Sequence, residues 1–386
     1  MSSKALLVGT SFSAVPLFNV LKQRDLTLSV CGNLSSDPCH RYVEHSYAIN
    51  YAIKEDLYEL VRREAFDFIV PSCNDYSYMS CAWVAEQLDY PGFDTYETTR
   101  LLHHKDLFRK FTQAHGFPVP YSVQLEKGGL ADLSPLKMPA LVKPVDSFSG
   151  RGITKVMQSS ELNMAVDHAF QSSNAETIVI EEFVDGSLHS HSCFIANGEI
   201  IFEIMADEFC SVYPYQVDCS NIPSRLSAGL QARVSECMKA LISKLALNDG
   251  LLHTQLIVKD DQFWIIECMR RAPGDLYGTM VQLATEVDYW KLYVQPFIKE
   301  KLVPPSQPRS FHNIARHTLS VEKGRYFQCF SSNIQAQQLI SVPLKDSGHY
   351  LDAAPYDKAG IIFAEFETTD ELFERSPHLA EHFNIR

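Results

Sequence analysis

Two stretches of this 386-residue chain carry side chains able to handle phosphate. The first is LVKPVDSFSGRGITKV, residues 141–156. On an extended strand Lys143 faces opposite to Val142, so one side chain projects toward a site and the other into a core. Ser147, Ser149, Gly150 and Gly152 let the backbone approach an anion closely and turn its N–H groups toward it. The same composition also describes an ordinary glycine-rich turn beside a surface lysine. The second stretch is HTQLIVKDDQFWIIECMRR, residues 253–271, which reads as a hairpin. If it turns symmetrically about Asp261, Gln255 lies opposite Glu267, His253 opposite Met269 and Leu251 opposite Arg271. Alternation then puts all six on one face. An amide, a carboxylate, an imidazole and a guanidinium on that face suit Mg²⁺ and phosphate oxygens. The competing reading is the polar outer face of an edge hairpin.

Further candidates flank these stretches. Asp207 and Glu208, and Arg270, Arg271, Asp275 and Tyr277 of RRAPGDLYG, follow site-forming strands, where substrate contacts are expected; the plainer reading of Asp275 and Tyr277 is a Pro-Gly turn into a helix beginning near Thr279. His189, His191 and Cys193 alternate along one strand and could share a face, as metal ligands or as an ordinary packed strand. His103 and His104 read as solvated helix surface. The ten cysteines contain no C-x-x-C pair, so a zinc site is not supported and unpaired thiols in a reducing cytoplasm are expected.

The elements that would position these residues are legible in outline. Strands ALLVG, LSVCG and FDFIVPS alternate with helices AVPLFNVLKQ, KEDLYELVRREA and SYMSCAWVAEQL, which implies a parallel sheet covered by helices. Only Gly9 follows the first strand and no G-x-G-x-x-G is present, so a dinucleotide site is not expected. Asp94 with Glu97 reads as the start of one helix that Gly116 and Pro118 end. A β-loop-β-α-β order follows, from PALVK to TIVIEEFV, implying a small α+β unit. SHSCFIA and EIIFEIMA join at Asn197-Gly198, a strong hairpin signal. A helix around 226–246 precedes the second stretch, and PPSQP marks a boundary before the last eighty or so residues.

Composition narrows the function. Apolar residues make up 46% and charged residues 21%, as in folded soluble proteins. Net charge is −13 with no basic block, which argues against nucleic acid as a partner. No apolar run of 18 residues exists, so no membrane partner is expected, and the N-terminus reads as a buried strand, not a signal peptide.

Together with HHKDLFR (103–109) and IEEFV (180–184), the two stretches resemble the ATP-grasp superfamily, which includes carboxylate–amine ligases, carbamoyl phosphate synthetase and biotin carboxylase. The resemblance covers essentially the whole chain. It implies a mixed α/β and α+β fold: an N-terminal Rossmann-like domain (1–100), an ATP-grasp domain (101–305, with a nucleotide lid at about 120–183) carrying a mostly antiparallel catalytic sheet, and a C-terminal segment (306–386) packing on it. It implies that Lys105 and Lys143 meet ATP phosphates and that SFSGRG covers them. Backbone at Glu181 and Val184 would meet adenine, with Glu182 or His189 near the ribose. Glu267 would be a metal ligand and Arg271 a phosphate-facing arginine. Two positions depart from the family pattern: Gln255 stands where Glu is usual, and Met269 where Asn is usual. ATP and Mg²⁺ are the implied cofactors. The implied reaction is ADP-forming ligation of a small carboxylate to an amine through an acyl phosphate, with Lys143, Arg271 and Arg270 catalytic, Gln255 a second metal contact, and Asp207, Asp275 and Tyr277 at the substrate. A cytoplasmic enzyme, possible as a homodimer, fits that implication. The departures keep a second reading open, a nucleotide-binding sensor or partner subunit with reduced turnover.

Overall fold

The computed structural model describes residues 2–129, 132–146, 150–173, 175–306 and 311–386. Four parallel strands open the chain, β1 (Ser3–Val8), β2 (Leu26–Gly32), β3 (His45–Ala48) and β4 (Phe68–Pro71), in the order β3-β2-β1-β4. Ala5–Val8 are fully buried, as a strand covered on both faces requires. β3 is missing from the sequence reading because HSYA is an edge strand with no apolar run. The connecting helices are α1 (Val15–Lys22), α2 (Lys54–Glu64) and α3 (Asp75–Leu88). In α2 the buried Leu57, Leu60 and Val61 recur at helical spacing, while Glu55 and Asp56 open and Arg62 and Arg63 close the helix, in the sense its dipole favours. The Asn74 side chain caps α3 by accepting the Ser77 N–H (2.8 Å), which presents Asp75 at the helix start.

The helix expected from Asp94 to Gly116 is two helices, α4 (Tyr96–His103) and α5 (Lys105–Ala114), broken at an extended His104. Thr95, not Asp94, caps α4; Asp94 instead accepts from Asn248 N–H and Arg270 Nε (both 2.7 Å). A small antiparallel sheet follows, β5 (Ser122–Glu126), β6 (Ala140–Pro144), β7 (Thr154–Val156) and β8 (Thr177–Glu182), ordered β5-β8-β6-β7 with α6 (Leu162–Gln171) on one face.

An eight-stranded antiparallel sheet forms the body. It contains β9 (Ser187–Ala196), β10 (Glu199–Phe209), β11 (Cys219–Ile222), β12 (Gly250–Lys259), β13 (Gln262–Met269), β14 (Asn313–Leu319), β17 (Gln338–Pro343) and β19 (Gly360–Phe366), ordered β13-β12-β9-β10-β11-β14-β19-β17. Short ribbons pair β15 (Arg325–Tyr326) with β18 (Tyr350–Leu351) and β16 (Phe330–Ser332) with β20 (Phe383–Ile385). The C-terminal segment therefore extends the body sheet with three strands, where packing against it was expected. The two sheet faces are distinct. Cys193, Ile195, Met205 and Leu252 pack with Val234, Met238 and Leu241 of α7 (Ala228–Leu245). Phe194, Ile204, Ala206 and Leu251 face the opposite way, toward α8 (Tyr277–Thr285) and α9 (Tyr289–Val294). α10 (Thr369–Arg375) covers the C-terminal strands. Among the described residues no helix is long and apolar enough to cross a membrane, and no disulfide joins the ten cysteines.

Candidate active site

A cleft of about 890 Å³ runs between the small sheet, α5, the start of α3 and the α8 face of the body sheet, within the range of small-molecule sites. Alternation decides what it sees. Ser190 and Ser192 on β9, Glu208 on β10 and His253 and Gln255 on β12 share the parity of Phe194 and Leu251, away from α7.

One end is cationic. Lys105, Lys143 and Lys155 line it, beside Leu141, Val145 and Ile153. Lys143 Nζ pairs with Glu181 Oε1, and Arg109 reaches Glu181 Oε2 through Nη2 (3.0 Å) and Nε (3.1 Å). All three side chains are buried. Burial holds the Lys143 ammonium below its ordinary pKa even with Glu181 beside it. Past β8 the chain leaves the small sheet at Phe183, whose N–H donates to Pro139 O (2.9 Å) and whose ring lies 3.5 Å from Lys155 Nζ. Glu181, Glu182 and Val184 all border the cleft here.

The opposite wall is the β12–β13 hairpin. Gln255 pairs with Glu267 and His253 with Met269, the register read from sequence, but symmetry is not its cause. Asp260 and Asp261, with φ of 48° and 58°, form a two-residue turn that pairs Lys259 with Gln262. A bulge between Gln255 and Leu256 adds one residue, Ile266, and so brings Glu267 opposite Gln255. Leu251 and Arg271 do not pair, because β13 ends at Met269. The Gln255 amide donates to Glu208 Oε2 (2.7 Å). Burial, opposed by hydrogen bonding and Arg316 and reinforced by Glu267, pushes the Glu208 carboxyl up to about 7. His253 is pushed down to about 3 by burial and by Arg271, and its Nδ1 contacts Ser192 Oγ (2.6 Å), so it is neutral at physiological pH.

Arg271 enters the cleft just beyond β13 and pairs with Asp75 Oδ2 (2.9 Å), while Asp75 Oδ1 pairs with His103 Nδ1 (2.9 Å). His103 is not solvated surface: it stacks on Tyr78, 5.3 Å between centroids. Nearby, Asp275 (φ 52°) pairs with Lys358 and accepts from Thr318 Oγ1 (3.0 Å). Arg316 donates to Asp275 O (3.2 Å) and Ser220 Oγ (2.9 Å). Tyr277, already in α8, meets Ser190 Oγ at 3.2 Å. Sequence reasoning missed Asp75, Arg109, Arg316 and Lys358; each meets its partner across dozens of residues, and only the i,i+4 spacing of Lys105 and Arg109 was available as a local signal.

Several expected residues lie elsewhere. Arg270 faces the other way and spends its guanidinium on Asp94, Leu251 O and Asn248 O (each 2.7 Å), so it is a structural clamp. Asp207 and His189 sit on the α7 face, paired at 2.9 Å, with Ser224 and Arg225 also on Asp207; neither borders the cleft. Gly152 is a turn residue at φ 71°, where a Cβ would lie 2.5 Å from Ser172 Cβ; Gly150 alone of the pair lines the cleft. Ser147 and Ser149 lie outside the described residues. His191 pairs with Glu203 (2.9 Å) and Cys193 is core, which leaves no metal trio there.

Cations facing the Glu267 carboxylate across a cleft of this size match a known architecture. Residues 136–279 match the model of the ATP-grasp domain. The chain is similar to ATP-grasp proteins. It is 29% identical over 192 residues to a D-alanine–D-alanine ligase of Flavobacterium johnsoniae, a match covering 47% of this chain and 58% of that protein; the chain thus spans little more than half the length of that relative. The structure of an L-amino acid ligase from Bacillus licheniformis superposes with a TM-score of 0.82 at 18% identity, over 100% of this chain and 98% of that one. The biotin carboxylase domain dimer of Hydrogenobacter thermophilus 2-oxoglutarate carboxylase, solved with MgADP and bicarbonate, gives 0.78 at 15%, over 100% and 91%. Both likenesses establish the fold. In this chain the donor set fits the nucleotide and its cation. Among the described residues no three His, Cys, Asp or Glu converge as a closed metal site, and Mg²⁺ is typically held by one or two carboxylates with phosphate oxygens completing its shell. Glu267 and the Gln255 amide are oxygen donors of that kind, whereas the Met269 thioether is a poor one.

Proposed function

We propose that the protein is an ATP-dependent, ADP-forming ligase that joins a small carboxylate to an amine. The observation that carries this reading is the opposition, across one cleft, of Lys105 and Lys143 to Glu267 and Arg271. Lys105, Lys143 and the backbone at Gly150 would hold the phosphates, and the chain from Glu181 to Val184, with the apolar wall beside it, would hold the base. Glu267 would hold Mg²⁺ with help from Gln255; the cation would neutralise phosphate charge. A substrate carboxylate oxygen attacks the γ-phosphorus, and ADP leaves with the electron pair of the broken P–O bond. Lys143 and Arg271 stabilise the spreading charge, where catalysis is mainly positioning and electrostatics. An amine then attacks the acyl carbon, inorganic phosphate departs and the amine loses a proton. Asp275 and Tyr277, joined by Arg316 and Lys358, would contact these substrates. Neutral His253 stands beside them as a hydrogen-bonding group. The acyl phosphate would have to be shielded from water, which would otherwise hydrolyse it.

The proposed division is a Rossmann-like N-terminal domain over residues 1–100, an ATP-grasp domain over 101–305 and a C-terminal segment over 306–386. A cytoplasmic homodimer belongs to the same reading, in keeping with ten unpaired cysteines and with the dimeric carboxylase neighbour. The test is ADP release across a panel of amino acids and small carboxylates with varied amines, beside Glu267→Ala. Release that depends on both an acid and Glu267 supports the proposal; silence across the panel with nucleotide binding intact refutes it. That silence is the result expected from the second reading, a nucleotide-binding sensor or partner subunit with reduced or no turnover.

A further inference from the structure

The bulge that presents Glu267 has a visible keeper. With the two-residue turn alone, Leu256 pairs with Ile265, and regular continuation would set Gln255 opposite Ile266 and Glu267 opposite Thr254. Thr254 is fully buried, its hydroxyl against Met238 of α7 (3.3 Å). A one-residue slip exchanges the two faces of a strand, so only the extra residue keeps the Glu267 carboxylate in the cleft and out of the α7 core. β13 is an edge strand, and the bulge leaves its outward backbone groups to be satisfied from elsewhere. Two contacts do so: Ile265 N–H donates to Pro118 O (2.7 Å), and Arg109 Nη2 donates to Ile266 O (2.7 Å). The same guanidinium holds Glu181, whose other oxygen holds Lys143.

We infer that Arg109 is a positioning residue that couples the phosphate lysine to the metal carboxylate. One buried guanidinium fixes the register that turns Glu267 into the cleft and neutralises Glu181 when Lys143 turns from it to a phosphate. Without Arg109, Glu181 would have Lys143 as its counter-charge, and the lysine could leave only by stranding a buried carboxylate. The inference rests on the nucleotide reading above for the roles of Lys143 and Glu267, while the clamp itself is a property of the free protein.

Two variants of the full chain separate the roles. Arg109→Lys keeps a charge beside Glu181 but replaces a planar fork by a single ammonium, which cannot serve both Glu181 and Ile266 O in the same way. Amide exchange in the nucleotide-free variant is expected to speed up by about tenfold or more at residues 265–268 and to be unchanged along β9. The gain in ADP affinity on adding Mg²⁺ is expected to fall about tenfold, with Mg²⁺-free affinity within about threefold of wild type. Glu181→Gln keeps the Ile266 contact; it should leave hairpin exchange slow and alter Mg²⁺-free affinity, which also serves should the lysine variant fail to fold. Unchanged exchange at 265–268 in Arg109→Lys overturns the inference, as does fast hairpin exchange in Glu181→Gln. A wild type that binds no nucleotide refutes the nucleotide reading and with it the coupling, whereas exchange in the free protein still decides the clamp.

Discussion

Glu208 is a buried carboxyl, and its pKa of about 7 makes a stability statement. Unfolded, it ionises near the ordinary glutamate value of 4.5. Because the folded pKa is raised, its favourable contribution is complete below the unfolded value and is lost as pH rises through the folded one. Glu208→Gln should therefore match wild type near pH 4 and exceed it by roughly 2–3 kcal/mol near pH 8. Urea unfolding at the two pH values checks this; an advantage that is equal at both would contradict it. Parity explains what the sequence disclosed at this scale. Given Asp207 on one face, strand alternation turns Glu208 to the other. What alternation leaves open is the absolute face, which depends on α7 covering one side. Asp75, Arg316 and Lys358 carried no local pattern, since their value comes from partners 196, 96 and 83 residues distant.

At the scale of elements, local chemistry was readable wherever a turn or cap decides structure. Asn197-Gly198 forms the expected hairpin, with φ of 53° and 79°. The β12–β13 register came out as expected through compensation: the turn centre lies half a residue from Asp261, and the bulge restores the offset. Nothing in DDQFWIIECM announces that bulge, because Ile265 and Ile266 are equally apolar, and the contact that holds it comes from α5. The break at His104 was equally silent, as RLLHHKDLFR is helical in composition. Packing of α8 against α9 gives a direct test. A Cβ at Gly278 would come within 2.4 Å of the Tyr289 ring and 2.8 Å of the Trp290 ring. Both rings are buried, so Gly278→Ala should destabilise by about 1–3 kcal/mol through overpacking, read as a lower urea midpoint with an unchanged m-value.

Across the whole molecule, buried ion pairs tie the sheets together. Arg270 joins the segment entering α4, through Asp94, to the loop before β12, through Asn248 O. Arg109 joins α5, β8 and β13. Both guanidinium groups are buried, and removal of one partner of such a pair typically costs about 3–5 kcal/mol. Arg270→Met should thus lower the melting temperature markedly while leaving nucleotide affinity near wild type at temperatures where the variant is folded. Arg271→Met should do the reverse, since Arg271 borders the cleft and its pairing with Asp75 is partly exposed. Calorimetric melting and nucleotide titration on the two neighbours would separate structural from functional arginine.

In the proposed function Lys143 grips the phosphates of ATP in this cleft. Isothermal titration of wild type and Lys143→Met with ADP and a non-hydrolysable ATP analogue, in Mg²⁺, tests it most directly. Binding to wild type and a loss of about tenfold or more in the variant are expected, a charge–phosphate interaction lost from a buried site. Failure of wild type to bind either nucleotide, or equal affinity in a folded Lys143→Met, would contradict it.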